Sequence, residues 1–213
     1  MKFKFLAIAL ASIASFGAHA DQGKTYWGGE FGISKLDDST GTLTSALVSS
    51  VGGAATATQD STVTTFKILA GYRYTENLDL EAAYFQSGTA NLNFNGVSRG
   101  AVAYTGNANM KFSGFEYAVN VRPSIASGWN DLYLRLGGHS SKMDTNVSIT
   151  ANAVTGASGK SYSGSGTLYG AGYDQKFNET TKVRYSVVKY SKVGGESDTG
   201  GTVYSIGFIK NFE

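Results

Sequence analysis

Apolar and polar positions alternate with a period of two along most of the chain, the mark of β-strands whose two faces meet different surroundings. From Tyr26 to Leu36, Trp27, Phe31 and Ile33 fall on one face and Gly28, Glu30, Gly32 and Ser34 on the other. Between Val63 and Tyr74, Phe66, Ile68, Ala70, Tyr72 and Tyr74 oppose Lys67, Gly71 and Arg73. The pattern recurs with Leu78, Leu80, Ala82 and Tyr84 against Asp79, Glu81 and Ser87, then with Phe115, Tyr117, Val119 and Val121 against Glu116, Asn120 and Arg122. Leu132, Leu134 and Leu136 oppose Tyr133, Arg135, Gly137 and His139, and Tyr169, Ala171, Tyr173 and Phe177 oppose Gly170, Gly172, Asp174 and Lys176. Val183, Tyr185 and Val187 against Arg184, Ser186 and Tyr190, and Tyr204, Ile206 and Phe208 against Ser205, Gly207 and Asn211, complete eight strands. An even strand number is what a single-chain bacterial barrel requires.

Connection lengths carry a second signal, since outer-membrane barrels join strands by short periplasmic turns and longer outer loops. The short connections lie at 75–77, 122–130 and 178–180, and the long ones at about 37–61, 88–111, 142–163 and 191–201. Leu92/Phe94 and Val147/Ile149 keep alternating, so some long connections read as hairpins continued above the membrane. This polarity places Trp27, Tyr72, Trp129, Phe177 and Phe212 near the lower interface and Tyr84, Tyr169 and Tyr204 nearer the upper one, forming two aromatic girdles. A hairpin centred on Glu179 sets Asp174 opposite Arg184, a buried pair whose charge exchange should recover much of the stability that Asp174→Arg alone removes.

The N-terminus sets the compartment. Lys2 and Lys4 precede an apolar run, Phe5 to Phe16, followed by Ala18-His19-Ala20, which reads as a signal peptide cleaved before Asp21. Residues 1–20 are therefore taken as the signal peptide and residues 21–213 as one barrel domain. Removing Lys2 and Lys4 from the 18 basic residues leaves 16 against 16 acidic ones, so a nucleic-acid partner is not expected. The chain has no cysteine, which excludes disulfide-stapled folds and thiolate metal sites. With 28 glycines, one proline and 25 Tyr or Phe residues, composition favours aromatic-rich strands. Beyond the signal no apolar stretch reaches the ~18 residues of a transmembrane helix. The expected fold is all-β: a transmembrane up-and-down antiparallel β-barrel.

In Ala70-Gly71-Tyr72-Arg73-Tyr74, in Asn77-Leu78-Asp79-Leu80-Glu81-Ala82-Ala83-Tyr84 and in the terminal strand Val203 to Phe212, the chain resembles the OmpA-like and opacity-protein-like family of eight-stranded barrels of the Gram-negative outer membrane. The resemblance implies an integral monomer among outer-membrane lipid, including lipopolysaccharide. It also implies recognition by the barrel-assembly machinery through the terminal aromatic Phe212, although Glu213 follows it and Lys210 lies on the outward parity. The chain ends with its eighth strand, so a cell-wall-binding domain of the kind some relatives carry is not expected.

Candidate chemistry is sparse. His139 and Ser141 stand two apart, as in lipid A deacylases, but both share the lumen parity of Tyr133 and Arg135, whereas such an enzyme must present its nucleophile to lipid. Asp37, Asp38, Asp60, Asp144 and Asp198 lie in or near outer loops, where a rim protease would need acids, but isolated loop acids are usually just solvated, and Asp37-Asp38 lacks an ion-binding spacing. Gly170-Ala171-Gly172 lies within a strand and is no phosphate loop. No enzyme activity, cofactor or metal is expected. The strongest constellation is the inward set Glu30, Lys67, Arg73, Asp79, Glu81, Glu116, Arg122, Arg135, Asp174 and Arg184, read as a paired plug in preference to an ion path. The expected role is structural or adhesion-type surface contact, with a host or cell-surface ligand met through the long loops. Leu43, Leu47, Val48 and Val51, apolar in a segment expected to stand in water, favour contact. The alternative is a narrow porin-like channel for ions or small solutes.

Overall fold

In the computed structural model, which describes residues 24–123, 131–197 and 199–212, the alternating segments pair into one antiparallel sheet that closes on itself. The elements are β1 (Thr25–Leu36), α1 (Thr40–Val51), β2 (Ala54–Gln59), β3 (Thr62–Thr75), β4 (Leu78–Val97), β5 (Ala103–Val121), β6 (Leu132–Ala151), β7 (Val154–Lys176), β8 (Thr181–Ser191) and β9 (Gly200–Asn211), with a 3-10 turn at Val193–Gly195. β1 pairs with β3 on one side and β9 on the other, and β3 to β9 pair in sequence, so eight strands form the ring. β2 stands outside it, paired to the upper part of β4. The expected signal peptide at residues 1–20, Trp129 of the lower girdle, the loop acid Asp198 and Glu213 lie outside the described residues.

Every strand of the ring sends one parity outward. Phe31, Phe66, Leu80, Phe115, Leu134, Tyr169, Val187 and Ile206 are 44 to 57 % exposed, while the intervening side chains are buried or half-buried. An unbroken apolar ring of that size has no stable partner in water and matches the outward band of a barrel in lipid. At the end with the short turns Trp27 packs edge-on against Phe208, centroids 5.5 Å apart, and Phe177 and Phe212 are exposed. Tyr84, tilted on Phe115 at 5.1 Å, stands on the outer wall with Tyr169 and Tyr204.

The turn after β7 is held by Asn178, whose Oδ1 accepts from the N–H of Thr180 (3.1 Å) and of Thr181 (2.8 Å). The register it sets places Asp174 opposite Arg184 and Lys176 opposite Lys182, and Lys182 is relieved by Asp131 at 2.6 Å.

The long connections are more ordered than loops. Segments 88–111 and 142–163 are mostly strand, so β4, β5, β6 and β7 run on past the ring. A bulge in β4 marks the transition: Gln86 faces Ser113 but Thr89 faces Lys111, one residue extra on β4. It switches parity, so above it Ala90, Leu92 and Phe94 continue the inner face. Segment 37–61, expected as a loop, holds α1 and β2. Asp38 Oδ1 accepts from the Thr40 N–H at 2.9 Å and from its hydroxyl at 2.7 Å, which lowers the Asp38 pKa and satisfies a free donor at the helix start; Gly52, φ +69°, ends the helix. Leu43 and Leu47, one turn apart, pack on Leu92, Phe94, Tyr104 and Ala108. The expectation that all four apolar residues of this segment stand in water is thus corrected for these two; Val48 and Val51 remain exposed.

Leu134 tests the outward assignment. Leu134→Ile should leave urea-induced unfolding in lipid nearly unchanged, whereas Leu134→Arg should cost roughly 2–4 kcal/mol if the residue lies at mid-membrane. An arginine tolerated there would mean that this face does not meet lipid.

Candidate functional site: a sealed lumen

The inward parity of a narrow ring brings together side chains far apart in sequence. All ten inward charges join one chain of ion pairs in which acids and bases alternate. Arg73 Nε meets Asp79 at 3.1 Å, and Arg122 bridges Asp79 (2.8 Å) and Asp174 (2.6 Å). Arg184 bridges Asp174 (2.7 Å) and Glu81 (2.6 Å), and Arg135 bridges Glu81 and Glu116, the latter at 2.6 Å. Lys67 links Glu116 (3.1 Å) to Glu30 (3.6 Å), and Glu30 returns to Arg184 at 3.8 Å. Arg73 keeps about a quarter of its side chain exposed at the lower rim; the other nine are buried. Away from water an ionised side chain is tolerated only when paired and hydrogen-bonded, which this alternation achieves.

Neutral residues add further hydrogen bonds to the network. The Tyr26 hydroxyl donates to Glu81 at 3.0 Å, Asn120 donates to Glu81 (3.1 Å) while accepting from Arg135 (3.2 Å), and the Tyr190 hydroxyl donates to Glu116. Ser186 and Ser205 donate to Glu30 at 3.0 and 2.6 Å. The Tyr133 ring lies 4.7 Å from the Arg184 guanidinium carbon and 5.4 Å from that of Arg122. None of these was singled out among the candidate site residues. The inward parity held the signal for all of them, but an uncharged residue on that parity does not announce a partner. Space for the rings comes from glycine: a Cβ at Gly71 would fall inside the Tyr26 ring, and one at Gly172 inside that of Tyr133.

Above the charges the lumen turns apolar. Phe85, Leu168, Val188, Tyr190, Val193 and Val203 form one buried cluster with Phe112 against it. A cavity of about 50 Å³, lined among others by Val63, Phe85, Phe112 and Val203, remains beneath the 193–195 turn. His139 holds that turn down. Its Nε2 lies 2.9 Å from the Ser191 carbonyl, which can only accept, so Nε2 carries the proton and Nδ1 accepts from the Ser141 hydroxyl at 3.1 Å. Ser141 in turn accepts from the Gly194 N–H at 2.9 Å. A serine donating to an oriented histidine has the local geometry of a nucleophile with its base. Here His139 is fully buried between the Phe85 and Tyr190 rings, and Ser141 is buried under the turn, so no acyl group reaches them. The dyad acts as a clasp.

The described outer acids are also occupied. Asp37 takes Lys189 at 2.5 Å, Asp60 accepts from Asn91 at 2.8 and 3.0 Å, and Asp144 takes Lys142 at 2.6 Å. Among the described residues no group of three histidine or acidic side chains could hold a metal. Phe212 follows β9 with its side chain exposed and its N–H on the Thr25 carbonyl at 2.9 Å.

A family model described as outer membrane protein beta-barrel domain matches residues 4–212. No curated protein matches the chain. Among solved structures, the chain is similar to Ail, the attachment invasion locus protein of Yersinia pestis, at 10% identity over 91% of this chain and 100% of that one, TM-score 0.49. It is similar to OprG of Pseudomonas aeruginosa at 14% identity over 92% and 98% of the two chains, TM-score 0.47. Neisserial surface protein A is 12% identical over 89% and 97%, TM-score 0.38. With the family model spanning nearly the whole sequence and an apolar ring on a closed eight-stranded sheet, the chain belongs to the outer membrane protein β-barrel domain family and is an integral protein of the outer membrane.

Proposed function

We propose that this protein makes contacts at the cell surface, an adhesion-type role, through strands that the barrel carries beyond the membrane. The observation that carries the reading is the contrast between a filled lumen and a raised sheet. Below, ten charges are paired across the bore and an apolar cluster closes the mouth, so an eight-stranded ring is filled by its own side chains. Above, β2 and the upper parts of β4, β5, β6 and β7 form a five-stranded sheet backed by α1. Chain that extends so far from the bilayer serves no structural need of the barrel, and function concentrates in segments held out on a rigid scaffold. In this reading there is no enzymatic site and no cofactor. The barrel is a monomer, since closure leaves no strand edge free in the membrane, and it sits among outer-membrane lipid and lipopolysaccharide. Phe212 serves as the recognition residue for the barrel-assembly machinery, and residues 1–20 as the signal peptide. The narrow channel is the competing reading, and the paired charges weigh against it.

Three outcomes test this. In planar bilayers the full barrel should show no large, steady openings; sustained conductance would favour the channel. Replacing Asn146–Gly159 by an Asn-Gly turn should leave the barrel folded in detergent but remove the hold of intact cells on a surface that cells with the full chain retain. The plug has its own signature. Asp174 also pairs with Arg122, and Arg184 with Glu81. Asp174→Arg together with Arg184→Asp would therefore set the new guanidinium beside Arg122 and the new carboxylate beside Glu81, so the recovery expected from their register alone should not occur. Asp174→Asn or Arg184→Gln singly should cost about 3–5 kcal/mol, and the two together clearly less than the sum, since Arg122 keeps Asp79 and Glu81 keeps Arg135. Additive losses in urea unfolding would show that the pair is not coupled.

A further inference from the structure

The raised sheet has two edges, and they are treated differently. β2 is guarded: α1 packs beside it, Ser39 donates to Gln59 Oε1 from its N–H (3.1 Å) and hydroxyl (2.6 Å), and Gln59 Nε2 donates to the Asp37 carbonyl at 3.0 Å. The other edge is the upper half of β7. Its pairing with β8 ends at Leu168, opposite Tyr190, and the 193–195 turn covers Gly164. From Val154 to Ser161 every residue is exposed.

The hairpin turn tells which backbone groups are free. Asn152 (φ +48°) and Ala153 (φ +63°) form a two-residue turn of the I′ kind, which makes Ala151 and Val154 a hydrogen-bonded pair. Even-numbered residues of β7 therefore bond β6, and odd-numbered ones point their N–H and C=O the other way. Thr167 obeys this, its N–H and carbonyl meeting Ser191 Oγ at 3.4 and 3.2 Å on the β8 side. Higher up, Thr155, Ala157, Gly159 and Ser161 have no backbone partner on that side among the described residues. The segment has one charge, no proline and no bulge, so it lacks most of the devices that block strand addition.

We propose that this edge pairs antiparallel with the same edge of a second copy of the chain standing in an opposing membrane. The proposal rests on the surface-contact reading and names its partner. Membrane orientation selects the geometry. Barrel strands tilt roughly 35–45° from the membrane normal, so two copies in one membrane, related by an axis along that normal, would cross their edges at about 70–90° and could not form a ladder. Two copies in facing membranes are related by an axis in the membrane plane, and an axis perpendicular to the strand makes the two edges antiparallel. The edge also has the reach: from Tyr169 on the lipid-facing wall to Val154 is fifteen residues, about 50 Å along the strand.

The sequence is self-complementary about Ser158. In that register Thr155 faces Ser161 and Ala157 faces Gly159 of the other copy, each pair exchanging two backbone hydrogen bonds. Lys160 falls opposite Gly156, where a Cβ would meet nothing within 4 Å, and Val154 falls opposite Tyr162. The two lysines do not meet. A single ladder this short buries little and is weak, but many in parallel between two surfaces hold by avidity.

The test uses the full chain in liposomes with the hairpins outward, two populations labelled in different colours and scored for mixed clusters. Native proteoliposomes should cluster with one another and not with protein-free liposomes. Ala157→Pro should abolish clustering while leaving the barrel folded, because it removes an outward N–H and no bond to β6. Ala157→Lys with Gly159→Lys in one population, or Ala157→Glu with Gly159→Glu, should abolish it as well. At Gly159 a Cβ comes closest to the movable end of Asn146, at 2.8 Å, with the Thr145 carbonyl in ordinary contact at 3.8 Å. Mixing the lysine and glutamate populations should bring clustering back. Failure of the mixture to cluster, or clustering with protein-free liposomes, overturns the homotypic pairing. If cells with the full chain still hold to a surface and cells with the trimmed hairpin do not, the contact reading survives that failure with a different partner.

Discussion

A strand crossing hydrocarbon has nowhere to place its backbone N–H and C=O groups except on another strand, and this protein meets that demand by closing β1 onto β9. Much else follows from closure. Eight strands in a ring leave a bore only as wide as the side chains within it. Inward residues must then fit one another as tightly as a core, and any ion among them must find its opposite across the bore. Glycine at 71 and 172 and the alternating line from Arg73 to Glu30 are two answers to the same narrowness.

The strands, their parity and the one-to-one facing of Asp174 and Arg184 were legible from residue types alone, because each depends on period two or on a short turn. What was not legible depends on shear. That Arg184 meets Glu81, 103 positions away, or that the Tyr26 hydroxyl reaches Glu81 follows from how far neighbouring strands slide before the ring closes, and no local pattern records it. The helix over 40–51 escaped for another reason: its threonines, serines and glycine read as loop, and only the spacing of Leu43 and Leu47 betrays a face that packs.

The lumen changes character with height. Salt bridges occupy the half nearer the short turns and hydrocarbon the half nearer the mouth, so water arriving from outside meets an apolar stopper before any of the ten inward charges. His139 and Ser141 show how far the same geometry can lie from the same chemistry. Their hydrogen bond would suit a nucleophile, but burial between two aromatic rings leaves it the task of tethering the 193–195 turn.

The extra residue of β4 between Gln86 and Thr89 separates two reading frames of inside and outside. Below it odd positions of β4 face the bore, and above it even ones pack in the apolar cluster with Leu43 and Leu47 of α1. Insertions and deletions in the outer hairpins can therefore be absorbed in twos without disturbing the wall in lipid, whereas loss of the one extra residue would turn Leu92 and Phe94 to the wrong side together. One residue near Gly88 thus fixes which face of the outer sheet is apolar, separately from the wall beneath it.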